Sequence, residues 1–260
     1  MVDMVSAARL SLEAVPGIGL VAEGDDVALL ILDALAANQQ VLERGDVIVI
    51  AQKIVSKAEG RVVELSTVEP GASARTLAAE VDKDARLVEL ILRESRRVVR
   101  KRPGVLIVEH NLGFVMANAG IDQSNATPRG ASPRAILLPV APDRSAAAIR
   151  EKIATVSGVA VGVVISDSFG RAWRRGTAGV AIGAAGVPTV RDLRGQLDLH
   201  GRALEVSITG FADEVAAAAS LVMGQGAEGL PVVIVRGLDL DAPHQEAADI
   251  VRPAEEDLFR

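Results

Sequence analysis

Short runs of Val, Ile and Leu recur along this chain and alternate with longer stretches of helical spacing. Gly, Pro or charged residues bound each run, as expected of buried strands. Leu204–Ile208 alternates between apolar and polar residues and predicts a strand open to water on one face. The core must be largely aliphatic, because the 260 residues include one Trp, four Phe and no Tyr. The predicted buried strands are Asp46–Ile50, Val105–Val108, Ala135–Val140, Val159–Ile165 and Val232–Val235.

Helical spacing predicts four helices, which interleave with these strands and indicate an α+β fold with mixed sheets. They are Val27–Leu42, with Asp25 and Asp26 placed to cap it, Ala72–Arg97, Ala146–Ala154 and Ala212–Met223. The second is so highly charged that we expect it to be largely exposed. The chain is long enough for one large domain or two packed lobes. Ser124–Pro133, rich in Ser, Asn, Thr, Pro and Gly, is either a boundary between lobes or a functional loop.

Composition excludes several classes of function. Without Cys, the chain has no thiolate zinc site, iron–sulfur cluster or cysteine nucleophile, and this fits a reducing cytoplasm. A net charge of −6 disfavours nucleic acid as a partner. No signal peptide and no membrane-spanning apolar run is visible, so we expect a cytoplasmic protein that does not bind membranes. His110, His200 and His244 suggest neither a zinc pair nor a Ser-His-Asp arrangement, and we interpret them as structural or exposed.

The densest cluster of polar side chains follows the apolar run Val163–Ile165. Asp167 and Ser168 supply two oxygen ligands at this strand end, and Arg171, Arg174 and Arg175 follow within a few residues. Hard metal ions prefer oxygen ligands, and arginines bind phosphate or carboxylate oxygens. The segment therefore indicates a metal-bound phosphate, although Asp and Ser are also common helix caps.

Two other polar segments indicate a ligand site only when they are considered together with other residues. Lys53 and Lys57 follow the strand ending at Ile50, where α/β proteins often hold ligands, but taken alone this motif favours a solvated basic turn. Asp122 lies in the loop Asn118–Asn125 and is either a ligand for Mg²⁺ or Mn²⁺ or an ordinary turn residue. The metal-ligand hypothesis requires Asp122 to meet Asp167 in space.

Two glycine-rich segments resemble nucleotide-binding loops. Gly17–Ala22 matches GxGxxA, but a dinucleotide site needs a helix beginning on the second glycine. Here Glu23–Asp26 intervene before the helical pattern, so we favour a turn. The GxxxxGK[ST] phosphate loop is absent. Met223–Leu230 allows close backbone approach to a ligand, or simply ends the preceding helix.

In this order and spacing, the motifs resemble those of the coenzyme F-420:L-glutamate ligase family, the γ-glutamyl ligases of F-420 biosynthesis. The resemblance extends from Pro16 to about Leu238. It rests on Glu23–Asp26, Gly45–Val49 leading into Lys53–Gly60, Ala119–Asn125, Ser166–Arg174, Ala212–Glu214 and Met223–Gln225.

The resemblance implies a GTP-dependent ligase that joins L-glutamate to the F-420 precursor through an acyl phosphate. It also implies the family's unusual α+β fold in an intimate homodimer, and two divalent ions, Mg²⁺ or Mn²⁺, assisted by potassium. The chain would form a single domain over residues 1–260, without the C-terminal flavin-binding domain of some members. Alternatives are a related GTP-dependent ligase with another acceptor, or a non-catalytic nucleotide-binding protein.

The family's functional residues transfer onto matching positions. Asp122, Asp167 and Lys57 would be catalytic. Asp122 and Asp167 would bind the first metal ion, and Ser168 and Gln225 the second. By charge alone, Arg171, Arg174 and Arg175 are candidates for the acidic substrates. The expected GTP contacts are Ile18, Gly19, Leu20, Val21, Gln52, Lys57, Asn125, Met223, Gly224, Gln225, Gly226, Ala227, Glu228, Gly229 and Leu230.

Overall fold

The computed structural model describes residues 9–124, 126–127, 130 and 132–258. Within these residues the α-helices are α1 (Val27–Ala37), α2 (Gln52–Ala58), α3 (Ala72–Val81), α4 (Ala85–Arg93), α5 (Pro142–Ser157) and α6 (Phe211–Met223). The strands are β1 (Ser11–Ala14), β2 (Val47–Ala51), β3 (Val62–Glu64), β4 (Ser95–Arg102), β5 (Val105–His110), β6 (Val115–Ala117), β7 (Arg134–Ile136), β8 (Gly162–Gly170), β9 (Thr177–Ala185), β10 (Arg191–Asp192), β11 (Ile208–Thr209) and β12 (Val232–Arg236). None of the helices described is long and apolar enough to cross a membrane.

A mixed five-stranded sheet forms the main lobe, in the order β1-β12-β2-β8-β9. Its one parallel pair is β2 with β8, and the other neighbours are antiparallel. β2 is a continuous run of Val and Ile with its first four residues fully buried. That pattern is typical of a strand covered on both faces. The predicted α+β class with mixed sheets is confirmed.

Helices cover both faces of this sheet. α1 and α5 pack on one face, against Ile48, Ile50 and Val163. α6 packs on the other face, against Val49 and Val164. Neighbouring side chains of one strand therefore belong to different cores, as the alternation of a strand requires. The main lobe is a three-layer sandwich with an almost wholly aliphatic interior.

A second lobe is inserted between α2 and α5 and has its own core. α3 and α4 pack there against the small sheet β4-β5-β6 and the ribbon β3-β7. Residues on both sides of segment 124–133, such as Ile121 and Ala135, belong to this core. The chain passes from one core to the other between Leu137, which belongs to the second core, and Leu138, which belongs to the main core. Segment 124–133 therefore does not separate the lobes.

The single exposed helix predicted over Ala72–Arg97 is wrong. Asp82 adopts a left-handed conformation (φ 51°) and ends α3, and Asp84 caps the start of α4 by accepting a hydrogen bond from Arg86 N. Both helices bury one face in the second core. The last residues of the predicted helix instead begin β4, which pairs with β5. Cross-strand pairing has overridden local helix propensity.

Several predicted boundaries also move. α1 ends at Ala37, where Asn38 donates to the Ala34 carbonyl through both its backbone N–H and its side-chain amide. The strands predicted at Ala135 and Leu204 shrink to three and two residues, in β7 and β11. β8 begins later than predicted but continues through Asp167 and Ser168. The sequence analysis missed α2 and the strands β1, β3, β4, β6, β9 and β10, whereas α6 begins one residue before the prediction and ends with it.

Two glycines allow β9 to approach both helical layers. A Cβ on Gly179 would lie 2.3 Å from the carbonyl oxygen of Ala216 in α6. On Gly183 it would lie 2.5 Å from the backbone of Pro142 in α5. A bulge between these positions turns the strand, so the two glycines contact opposite faces.

We predict that Gly183→Ala lowers the free energy of unfolding by about 1–3 kcal/mol, because the methyl group meets rigid backbone. Gly170→Ala, at the open end of β8 where a Cβ meets nothing within 4 Å, is the matched control and should cost less than about 0.5 kcal/mol. Urea unfolding measures both. Equal losses would show that the close approach is unimportant.

Candidate active site between the two lobes

A cleft of about 1360 Å³ separates the two lobes. The main lobe contributes the ends of β2 and β8, the start of α2 and the loops at 18–23 and 223–231. The second lobe contributes the β3–β7 ribbon and the segment around Asp122. Phe169 of the main lobe and Phe114 of the second lobe meet edge to face at 5.7 Å beside the cleft.

The parallel pairing of β2 and β8 builds the main-lobe wall. Ala51 lies opposite Ser166, so both strands deliver their next residues to the same edge of the sheet. β2 turns directly into α2, whose first residues are Gln52 and Lys53. β8 continues beyond its parallel partner and carries Asp167 and Ser168 into the cleft. The interpretation of Asp167 and Ser168 as helix caps is wrong, because both lie within a strand.

Asp122 reaches the cleft from the second lobe on a strained turn. Asn118, Ala119 and Gly120 all have positive φ, between 53° and 66°. For a non-glycine residue this conformation costs about 1–2 kcal/mol. Asp122 then forms two backbone hydrogen bonds with Ile136 of β7, at 2.8 and 3.0 Å. These bonds fix the carboxylate at the edge of the ribbon.

The Asp122 carboxylate is bound from both lobes. Lys53 Nζ lies 2.6 Å from Asp122 Oδ2, and Ser124 donates through its backbone N–H and its hydroxyl. Burial opposes ionisation of Asp122, but these three donors outweigh it and hold its pKa below the ordinary value. Asp122 therefore accepts the hydrogen bonds that are typical of a turn residue. It also forms an ion pair with Lys53 across the cleft.

Asp167 has the opposite electrostatic character. Burial, with a smaller contribution from the negative charge of Asp122, raises its pKa to about 6. The Ser168 backbone N–H and the Lys53 ammonium oppose this shift. Asp122 and Asp167 are therefore close enough to repel each other, although 45 residues separate them in the chain. The structure brings the two together at one place that already holds a cationic group.

The donor set suits a hard divalent cation. Besides the two carboxylates, Ser168 Oγ donates to Gln225 Oε1 at 2.9 Å, so a hydroxyl and a carboxamide lie side by side. Mg²⁺ and Mn²⁺ prefer such oxygen ligands and complete their shells with water or phosphate. No group of three or more His, Cys, Asp or Glu suited to a metal occurs within the described residues. The repulsion between Asp122 and Asp167 is what a bound cation would relieve.

Gln52 and Lys57 present donors to the same wall. Gln52 is buried, accepts a hydrogen bond from Ser56, and leaves its Nε2 without a partner among the described residues. Burial and the neighbouring Lys53 ammonium lower the pKa of Lys57. An unpaired buried N–H and two adjacent ammonium groups are both stabilised by an anion.

Two glycine-containing loops close the main-lobe side of the cleft. Ile18, Gly19, Leu20 and Val21 line it, and Leu20 is almost fully exposed. α1 begins only at Val27, which confirms that Gly17–Ala22 is not a dinucleotide fingerprint. Gly224 ends α6, which confirms the helix-end interpretation of the second loop. It also lines the cleft, and its close approach to a ligand stays a prediction. Met223, Gln225, Gly226, Ala227, Glu228, Gly229 and Leu230 line it as well.

Other predicted residues lie elsewhere. Arg171, Arg174 and Arg175 are exposed in the loop after β8 and are not among the described residues that line the cleft. Their contact with substrate stays a prediction. Asn125 lies outside the described residues. His110 is buried and accepts a hydrogen bond from Leu112 N, while His200 and His244 are exposed, as predicted.

Sequence reasoning missed the charged residues of the second-lobe wall. Glu64 and Arg134 line the cleft from β3 and β7. Each belongs to a three-residue strand, which is too short for a periodic signal. Lys53 was recognised within its motif, but its ion pair with Asp122 depends on a fold contact between residues 69 positions apart.

Comparison with known proteins shows the family of this chain. The family described as F-420-0:gamma-glutamyl ligase matches residues 17–237. The protein named coenzyme F-420:L-glutamate ligase in Methanopyrus kandleri is 47% identical over 255 residues, covering 96% of this chain and 98% of its own. Its namesakes in Methanothermobacter thermautotrophicus and Archaeoglobus fulgidus are 44% and 41% identical. These alignments cover 96% and 97% of this chain and 99% and 97% of the relatives. The chain therefore belongs to the F-420-0:gamma-glutamyl ligase family.

Proposed function

We propose that this protein is a GTP-dependent ligase that adds L-glutamate to the coenzyme F-420 precursor through γ-glutamyl amide bonds. The observation that carries the proposal is the meeting of Asp122 and Asp167 around Lys53 at the bottom of a large cleft. The relatives named as coenzyme F-420:L-glutamate ligases support the choice of substrates.

The cleft would hold divalent cations together with the nucleotide. Asp122 and Asp167 would hold one Mg²⁺ or Mn²⁺ ion, and Ser168 and Gln225 a second, with potassium as a further cation. Such ions neutralise the triphosphate and withdraw electrons from the phosphorus under attack. The buried donor of Gln52, the Lys57 ammonium and the loops at 18–21 and 223–230 would enclose GTP.

The reaction needs two displacements. A carboxylate oxygen of the precursor attacks the γ-phosphorus, the bond to the β-phosphate oxygen breaks, and GDP leaves. The amine of L-glutamate then attacks the acyl carbon, the bond to phosphate breaks, and the amine proton is released with inorganic phosphate. Phosphoryl transfer needs aligned groups and neutralised charge rather than a protein nucleophile. The lysines and carboxylates of the cleft meet that need.

We expect purified protein to convert GTP, L-glutamate and the F-420 precursor into a longer glutamyl tail, GDP and phosphate when Mg²⁺ or Mn²⁺ is present. Mass spectrometry of the product and phosphate release measure the reaction. Turnover of GTP only with a different carboxylic acid would indicate a related ligase. Tight GTP binding without turnover against any acceptor would indicate a nucleotide-binding protein.

We predict opposite effects of Asp167→Asn on binding and on stability. Loss of a charged ligand should weaken metal-dependent GTP binding at limiting metal by about tenfold or more. Without metal, folded Asp167 keeps its proton up to about pH 6, whereas the unfolded chain releases it near pH 3.8. Relative to Asp167→Asn, wild-type stability should therefore fall by about 1–3 kcal/mol as the pH rises from 4 to 7, because the other carboxylates titrate alike in both proteins.

Calorimetric titration with GTP at fixed Mg²⁺ and urea unfolding across this pH range check both parts. Asp192→Asn, a change to an exposed carboxylate outside the cleft, is the matched control for the titration. Unchanged GTP affinity of Asp167→Asn at limiting metal would contradict the role of Asp167 as a ligand.

We also propose a homodimer. The hairpin from β10 to β11 carries apolar side chains that are exposed in the single chain: Leu197, Leu199, Val206 and Ile208. Clustered exposed apolar residues are typical of a protein interface. A second copy that covers this hairpin would bury them.

We expect light scattering after size exclusion to give twice the mass of one chain for the wild type. The double variant Leu199→Asp, Val206→Asp should shift the protein towards the monomer, because two buried charges oppose association. Val156→Asp, at an exposed apolar position on α5, should leave the mass unchanged. A dimer that survives the double variant would place the interface elsewhere.

A further inference from the structure

The β3–β7 ribbon has two different faces. The cross-strand pair Val63 and Ala135 belongs to the second-lobe core. The neighbouring pair, Glu64 and Arg134, must face the other way because strand side chains alternate, and both residues line the cleft. Glu64 and Arg134 thus place a carboxylate and a guanidinium side by side on this wall of the cleft. Neither residue has a role in the binding of GTP or metal ions proposed above.

Glu64 and Arg134 lie side by side, but they do not form a hydrogen bond with each other. Glu64 accepts a hydrogen bond from Ser66 Oγ at 2.5 Å and another from Ser132. With the charge of Arg134, these bonds hold the pKa of Glu64 below its ordinary value, so it stays ionised at neutral pH. The Arg134 guanidinium makes no hydrogen bond to any other described residue. Within the described part of the chain, its donors are therefore available to a ligand.

Glu64 and Arg134 lie close to Asp122, one of the proposed metal ligands. Asp122 pairs with Ile136, two residues from Arg134 on the same strand, so their side chains share one face of the ladder. Diagonal neighbours in an antiparallel ladder are about 7–8 Å apart. A small molecule held by Arg134 therefore lies within reach of an acyl group activated at Asp122.

We propose that Arg134 and Glu64 form the subsite for the incoming L-glutamate, with Arg134 binding a carboxylate and Glu64 facing the ammonium group. A guanidinium fork matches a carboxylate, and the adjacent carboxylate matches the positive end of an amino acid. A nucleotide triphosphate offers no cationic partner for Glu64, and its expected contacts among the described residues lie on the main-lobe wall. This inference rests on the proposed function, since it names the subsite for the second substrate of that reaction.

Steady-state kinetics of Arg134→Met and Glu64→Gln test the subsite. We expect Arg134→Met to raise KM for L-glutamate by about tenfold or more, because a charged hydrogen bond to the carboxylate is lost, while KM for GTP stays within about twofold. Arg134→Lys should recover only part of the loss, since an ammonium cannot bind bidentately. Arg100→Met on β4 and Glu151→Gln on α5, both exposed and outside the cleft, are the matched controls.

Direct binding separates this inference from the proposed function. Calorimetric titration of L-glutamate into protein saturated with GDP and Mg²⁺ needs no turnover. Glutarate, which lacks the amine, should bind more weakly than L-glutamate to the wild type and lose less affinity than L-glutamate when Glu64 becomes Gln. If the wild type forms no product but Arg134→Met still abolishes L-glutamate binding, the proposed reaction fails and the subsite stands.

Other outcomes overturn the subsite. Equal L-glutamate affinity in the wild type and Arg134→Met, or no L-glutamate binding to the wild type by either measurement, removes it. A rise in KM for the F-420 precursor instead of L-glutamate assigns Arg134 to the other substrate. Loss of GTP affinity together with L-glutamate affinity points to a general disturbance of the cleft, and circular dichroism of the variants would reveal an unfolded protein.

Discussion

The parallel pairing of β2 with β8 positions the main-lobe wall of this cleft. Parallel neighbours end at the same edge of a sheet, so Gln52 and Lys53 of one segment lie beside Asp167 and Ser168 of the other. Helices cover both faces of this pair, which leaves the carboxyl edge as the open side. The second lobe then closes over that edge and adds Asp122 through its bridge to β7.

The electrostatics of the cleft follow from this closure. Two carboxylates from different lobes share a partly buried space, and Lys53 places a positive charge beside both of them. Burial and mutual repulsion raise the pKa of Asp167 to about 6. Strain at Ala119, in the turn that precedes Asp122, adds to the cost of holding this arrangement. Such energetic costs are common at functional sites, where the binding of a ligand offsets them.

Local pattern predicted the elements whose signals are long or continuous. β2, β5 and β12 are uninterrupted aliphatic strands, and α6 has a clear acidic start and a glycine end. The pattern failed where tertiary contacts decided the outcome. Ser95–Arg97 continues the helical spacing of the preceding residues but pairs with β5. β9 contains Gly and Ala rather than typical strand residues because two helices pack closely against it. The strand β3 is too short to be recognised before its partner is known, and β7 keeps only Ala135 and Ile136 of the strand predicted there.

The sequence by itself determined the oxygen and nitrogen donors available to this protein, and the order of its motifs indicated the family to which it belongs. Only the tertiary structure decided which donors meet. It brought Asp122 to Asp167, left Arg171, Arg174 and Arg175 outside the cleft lining, and put Arg134 and Glu64 on the opposite wall. The physical reason is that strand register and the packing of two lobes control distances between residues far apart in the chain, and no local pattern encodes those distances.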